Sequence, residues 1–326
     1  MAATVRAESG CSMSAPAERA TDAALDALGV PAAEGAGVPA SAGRFPDGAS
    51  FRIEIPSVEG PACLEAVLEE AAALDVPVRR VSQGSGVSML TDTELDRMAR
   101  TAADAGVEVS LFARPGASWG PSASARASAG GALGAAAWGH DQLRACLDDA
   151  MRAAEHGFRS VLIADVGVLA SFAELRRAGN LPRDMQAKVS VMAAIGNPAT
   201  ARVLEGLGAD TLNVPGDLGP AQLAAMRAAV DVPLDVYVES PDDLGGFVRE
   251  HEVLELIRVA APLYVKLGLR NAPALYPWGL HLEGVGVAMA RERVRRARLV
   301  MERIERSGAG LTTSAPGADG LAIPHP

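Results

Sequence analysis

From about residue 51 to residue 267 the chain alternates two kinds of segment, short runs rich in β-branched and aliphatic residues and longer Ala/Leu/Glu stretches. The short runs Phe51–Ile55, Val78–Ser82, Val107–Phe112, Ser160–Ala164, Ala187–Met192, Thr211–Val214, Leu234–Val238 and Leu263–Leu267 read as strands. The stretches Pro61–Leu74, Asp92–Ala105, Asp141–Glu155, Ala199–Leu207 and Pro220–Ala229 carry helical periodicity. Eight strands with helices between them point to a (β/α)8 TIM-type barrel, with an open doubly wound sheet as the alternative. Most strands split by parity. Ile53 and Ile55 oppose Arg52 and Glu54, Val189 opposes Lys188, Leu212 opposes Asn213, Val236 opposes Asp235, and Val265 opposes Lys266. Helices must cover one face of a barrel strand, so the aliphatic face points outward and the charged face points into the barrel. Charges placed there must be paired, because isolated buried charges are costly.

Residues 1–50 and 309–326 are rich in small residues and lack this periodicity, so they read as flexible extensions flanking a barrel over residues 51–308. Aromatic residues are only 4% of a chain that is 49% hydrophobic, which leaves the core to Ala, Val and Leu. The formal net charge is -10, and the one arginine-rich run, Arg291–Arg298, is interrupted by Glu292 and reads as a solvated helix face. Nucleic acid is therefore not an expected partner. Three widely spaced cysteines, Cys11, Cys63 and Cys146, encode neither a disulfide framework nor a thiolate cluster. No stretch approaches 18 uninterrupted apolar residues, and Glu8, Glu18 and Asp22 interrupt the region where a secretory signal would sit. A cytoplasmic protein without a membrane partner is the expectation.

Chemistry in such a barrel sits at the C-terminal ends of the strands. The candidates there for proton transfer are Glu54, Glu239 and Lys266, with His281 as a further general base after the Pro273–Gly279 loop. Substrate contacts are expected from Arg114, Asn213 and Arg270, and from Ser82, Gln83 and Ser85 in the turn Ser82–Gly86, whose successive amides are suited to cradle an anion. Asp165 and Glu239 are candidate ligands for a divalent metal such as Mg, Mn or Zn. For each residue a structural reading competes: salt bridging for the carboxylates and lysines, a tight turn for Ser82–Gly86. The long segment Ala113–Gly139, with Trp119 and Trp138, has the length of a lid.

The phrases Phe51-Arg-Ile-Glu-Ile-Pro-Ser-Val-Glu59, Val238-Glu-Ser-Pro-Asp-Asp-Leu-Gly-Gly246 and Lys266-Leu-Gly-Leu-Arg-Asn-Ala-Pro273 resemble an actinobacterial-type branch of peptidase family U32, the collagenase-like peptidases, over residues 51 to 300. The resemblance implies the barrel and a peptidase label. Other members of that family hydroxylate RNA bases or quinone precursors with a four-cysteine iron–sulfur cluster, which three cysteines cannot ligate. No Ser-His-Asp set or metalloprotease helix stands out. The leading expectation is an enzyme using acid–base chemistry, with or without a metal, on a small carboxylate-bearing metabolite. A U32-type peptidase and a non-catalytic barrel subunit are the alternatives, the latter binding a partner enzyme or a second copy.

Overall fold

The computed structural model describes residues 37–114 and 136–326. Eight parallel strands close into a barrel: β1 (Phe51–Pro56), β2 (Val78–Ser82), β3 (Glu108–Phe112), β4 (Ser160–Ile163), β5 (Gln186–Val189), β6 (Thr211–Asn213), β7 (Leu234–Glu239) and β8 (Leu263–Leu267), with β8 pairing back onto β1. Each strand is followed by a helix: α1 (Pro61–Ala73), α2 (Asp92–Ala105), α3 (Gly139–Glu155), α4 (Val166–Ala178), α5 (Pro198–Gly206), α6 (Pro220–Ala229), α7 (Val253–Ala260) and α8 (Glu283–Ser307). The fold is therefore the TIM-type barrel that the alternation predicts. No helix among the described residues is long and apolar enough to cross a membrane.

Local chemistry sets the element ends. Thr91 and Glu94 form a reciprocal capping box at the start of α2, Thr91 N donating to the Glu94 carboxylate at 2.8 Å. That helix stops at Gly106, whose φ of 63° is left-handed. Pro61 and Pro198 open α1 and α5, where a missing N–H costs nothing. The run Ala187–Met192, expected as one strand, ends as a strand at Val189. There the Ser190 hydroxyl accepts from Met192 N and the chain turns through a short 3-10 segment, Val191–Ala193, into left-handed Ala194. The helix α4 lacks a polar stripe as regular as that of α2, and α7 is only 8 residues long, so periodicity alone does not single them out.

The outer strand faces and the inner helix faces form one aliphatic layer that includes Ile53, Val81, Val109, Leu111, Val236 and Val265, all essentially without solvent exposure. The inner strand faces carry Arg52, Glu54, Arg80, Glu108, Lys188, Asp235 and Lys266, all buried.

Residues 309–326, expected as a flexible extension, form no helix or strand, yet they lie against the N-terminal end of the barrel. Thr313 bridges Phe51, Gly317 N donates to Gly106 O at 3.0 Å, and His325 N donates to Gly157 O at 2.8 Å. The reason is Arg52, a buried cation at the barrel base. Its Nε donates to Ser314 Oγ at 2.7 Å, its Nη2 to Asp319 O at 2.7 Å and its Nη1 to Tyr264 Oη at 3.1 Å. Part of the segment before β1 joins this plug: Phe45 is buried with the Arg52 guanidinium 4.0 Å from its ring centre. Residues 1–36 lie outside the described residues.

Two predictions concern stability. Arg52→Met leaves Ser314 and Asp319 without their charged donor, so urea denaturation should register a loss of at least about 1.5–3 kcal/mol, the size of hydrogen bonds to a charged group. Limited proteolysis of that variant should cut the chain after residue 309 faster than in wild type. The second concerns Asp149 on α3, whose carboxyl burial pushes up to about 7, against a backbone hydrogen bond from Ser88 and the charge of Arg152. Between its ordinary value near 3.8 and about 7 the native state then holds the proton more tightly than the unfolded chain, so this group lowers stability as pH rises through that window. Asp149→Asn should raise Tm relative to wild type at pH 8 and change it little at pH 4. An equal shift at both pH values would contradict this.

Candidate functional site

The middle of the barrel is a closed network around one carboxylate. Glu54, from β1, accepts from Ser82 Oγ at 2.8 Å and from Arg80 Nε at 2.8 Å, and it pairs with Lys188 Nζ and with Lys266 Nζ, the latter at 3.1 Å. Arg80 also reaches Asp235 at 2.6 Å, and Lys188 reaches the other Asp235 oxygen at 3.1 Å. The Arg80 guanidinium stacks 3.3 Å from the centre of the Tyr264 ring, with Glu108 at 3.7 Å on its other edge. Burial alone would raise the Glu54 carboxyl, but Arg80, Lys188 and Lys266 together hold it well below the usual carboxylate range. Burial and the neighbouring Arg80 push the Lys188 ammonium down to about 8, opposed by Asp235 and Glu54.

Above this network, at the C-terminal mouth, lies a cavity of about 420 Å³. Lys266 belongs to both, since it pairs with Glu54 below and lines the cavity above. With the Asn213 amide oriented to satisfy its neighbours, its Oδ1 accepts from Lys266 Nζ at 2.9 Å and its Nδ2 donates to Asp235 O at 3.3 Å. The Tyr237 ring centre lies 4.4 Å from the same ammonium. Around this floor stand Ser57, Ser82, Gln83 and Ser190, with Phe112, Leu162, Met192 and Leu244 as apolar wall. Two lining residues, Ser57 and Ala194, hold left-handed φ values of 59° and 52°, the kind of local strain that persists where surrounding structure enforces it.

The mouth thus brings together five of the residues singled out from sequence: Lys266, Asn213, Ser82, Gln83 and Arg114. Arg114 donates to Gly84 O at 2.8 Å and lies beside the rings of Phe112 and Tyr276. Glu54 sits beneath the floor rather than on it, without solvent exposure. Ser85 is buried behind the wall, its hydroxyl accepting from Trp278 N at 2.9 Å. The Ser82–Gly86 turn does cradle an anion, and the anion is internal: Gly84 N and Ser85 N donate to the two Glu59 carboxylate oxygens at 2.8 and 2.9 Å. Burial raises the Glu59 carboxyl and these two amides oppose the shift.

Four other residues stand away from the cavity. In β7 the ladder slips between Tyr237 and Glu239, so that Glu239 pairs opposite outward-facing Leu267. Its carboxylate accepts from Arg270 N at 3.0 Å and lies 3.6 Å from Arg296 on α8. Arg270 is itself exposed, 3.7 Å from Asp242. His281 is exposed in a 3-10 turn before α8. Asp165 caps α4, one oxygen accepting from Val168 N and the other from Ala137 N, both at 2.9 Å. Asp165 follows β4 and Glu239 ends β7, strands that are not neighbours in the barrel, and no group of three or more His, Cys, Asp or Glu side chains that could hold a metal ion occurs among the described residues.

Sequence reasoning missed Ser57, Tyr237, Tyr276 and Asp243 as cavity residues. Asp243 is the one carboxylate in the lining among the described residues, and its only sequence signal was membership in the loop after β7. The segment expected as a lid falls largely on residues 115–135, outside the described residues, and those residues contain no His or Cys. Cys63 and Cys146 are buried away from the mouth, and burial pushes their thiols up to about 11 and about 12.

No protein-family model and no curated protein matches the chain. Among solved structures, a U32 peptidase is similar at 16% identity, covering 69% of this chain and 96% of its own, with a TM-score of 0.41. A 2,3-dimethylmalate lyase of the PEP mutase/isocitrate lyase superfamily is similar at 14% identity over 84% of this chain and 87% of its own, with a TM-score of 0.42. A truncated 3-deoxy-D-arabino-heptulosonate 7-phosphate synthase from Thermotoga maritima is similar at 15% identity over 78% of this chain and 87% of its own, with a TM-score of 0.43. The U32 resemblance is therefore one distant likeness among several and assigns the chain neither to that family nor to a reaction.

The network predicts a specific mutational signature. Arg80→Met removes the cation shared by Glu54 and Asp235 and should cost about 3–5 kcal/mol in urea denaturation, the range for breaking a buried ion pair by removing one partner. Adding Asp235→Leu should recover part of that loss. A strictly additive double variant would show that the two residues do not share one network.

Proposed function

We propose that this barrel is an enzyme that moves a proton on a small carboxylate-bearing metabolite, a lyase or isomerase reaction, with Lys266 at the centre of the chemistry. One observation carries the reading: the Lys266 ammonium belongs to the buried charge network and also lines the floor of the cavity at the strand C-termini. A cation in that position neutralises charge that develops on an enolate or other oxyanion, in surroundings of low dielectric where the effect is large. Glu54 and Asn213 act as positioning residues, holding the ammonium from below and from the side.

The hydroxyls of Ser57, Ser82 and Ser190 and the side chains of Gln83 and Arg114 supply the polar contacts that orient a bound carboxylate. Asp243, at the rim, is the lining carboxylate available to exchange a proton with substrate. The apolar wall limits water at the floor. A peptidase reading draws less support, because no histidine or cysteine lines the cavity among the described residues.

Pyruvate, oxaloacetate, malate and succinate serve as test acids. Each is incubated with the full chain in deuterated buffer, and deuterium incorporation at the carbon next to the carboxylate or carbonyl is followed by NMR. Wild type is expected to accelerate exchange for at least one acid, and Lys266→Met to lower that rate by about 10²-fold or more with an unchanged circular dichroism spectrum. Lys266→Arg, which keeps the positive charge at the floor, should retain binding and keep more of the exchange rate than Lys266→Met. Exchange at the buffer rate for every acid, or full activity in Lys266→Met, would refute the assignment.

A further inference from the structure

A second chamber of about 380 Å³ adjoins the mouth cavity, between α8 and the loops that follow β7 and β8. The two share Ser57, Arg114, Pro241, Asp243 and Tyr276, so the Ser57–Tyr276 hydrogen bond stands on their common wall. The distinctive feature of the second chamber is Arg293, on α8. It is 3% exposed, yet no carboxylate among the described residues lies within ion-pair distance of it. Its one hydrogen bond, Nη1 to Ser57 O, is long at 3.4 Å, and its Nε has no partner.

Buried guanidinium groups are expected to be paired, since removing a charge from water without compensation costs several kcal/mol. Every other buried arginine of the barrel follows that rule: Arg80 has Glu54 and Asp235, Arg52 has the C-terminal segment, and Arg249 has Glu252 and the carbonyls of Gly216 and Leu218. Glu59 acts on Arg293 only from a distance, because its own carboxylate is held by Gly84 N and Ser85 N. Asp242, on the chamber rim, is engaged by Asn271 N at 2.6 Å and faces Arg270. Leu269, Ala272, Pro273, Leu275 and Met289 make the remaining wall mostly apolar, which strengthens the attraction between a cation and an incoming anion.

We propose that this chamber is an anion-binding subsite in which Arg293 receives a carboxylate or phosphate oxyanion from a small ligand. The site stands on its own geometry. Only the further statement, that one substrate places its reacting end at Lys266 and its second anionic group at Arg293, rests on the function proposed above. That statement narrows the substrate class to small metabolites carrying two anionic groups.

The test is calorimetric titration of the full chain with inorganic phosphate and, separately, with succinate, at constant ionic strength against sodium chloride. Binding of either probe above the chloride background is expected, and whichever binds identifies the group recognised. Arg293→Gln should weaken it at least 10-fold, while Arg293→Lys, which keeps a cation, should retain it within a few-fold. Should Arg293→Gln fail to fold, Ala274→Trp narrows the chamber from an exposed position and should abolish the same binding at unchanged Tm. Lys266→Met should leave phosphate binding intact. No binding of either probe would overturn the inference. So would binding that survives both Arg293→Gln and Ala274→Trp but is lost in Lys266→Met, which would place the anion at Lys266 and leave the proposed function standing.

Discussion

The structure depends on how one buried carboxylate is compensated. Glu54 is surrounded by Arg80, Lys188 and Lys266, contributed by β2, β5 and β8, and Asp235 from β7 and Glu108 from β3 complete the set. Three anions, Glu54, Asp235 and Glu108, thus face three cations, Arg80, Lys188 and Lys266, all of them buried. Removing any of them leaves an unbalanced buried charge, far more costly than losing an equivalent pair on the surface. The same balance fixes strand register, because a slip of one residue would send the charges of that strand into the aliphatic layer. Barrel closure and the charge network are therefore one constraint viewed at two scales.

That constraint explains how much could be read from the chain alone. A period of two is visible in a linear sequence, so the inward set Arg52, Glu54, Lys188, Asp235 and Lys266 was legible, and with it the barrel. Height within the barrel is not visible, because it depends on strand stagger. Glu54 and Lys266 look equivalent in sequence, yet one lies under the floor and the other on it. Glu239 continues the alternation of β7 on paper, and only the slipped register beyond Tyr237 turns it toward Arg296. The Ser82–Gly86 turn shows its donors in sequence, but not that Glu59, 25 residues before Gly84, already occupies them. The C-terminal residues lack periodicity because they meet the barrel through isolated backbone groups rather than a repeated face.

A sequence resemblance is weaker evidence than the cavity itself. The phrases that read as U32-like contain Glu59, Glu239 and Arg270, and each of these has local work in the fold. Glu59 fills the Ser82–Gly86 turn, Glu239 meets Arg296, and Arg270 donates a backbone N–H to Glu239. The cavity draws on both kinds of residue: Ser57, Asp243 and Lys266 lie within those phrases, while Ser190, Asn213, Tyr237 and Tyr276 lie outside them.

The contrast between Lys266 and Arg293 bears on how a site of this kind divides binding from chemistry. Lys266 already has Glu54 at 3.1 Å, so a ligand anion reaching it gains only the difference between two partly satisfied arrangements. Arg293 has no carboxylate partner at that range among the described residues, so an anion there recovers most of the attraction available to the guanidinium. Affinity would accordingly come from Arg293 and the apolar wall around it. In the function proposed above, weak net binding at Lys266 would be an advantage, since an interaction that is small with substrate and grows as negative charge develops lowers the barrier rather than the ground state.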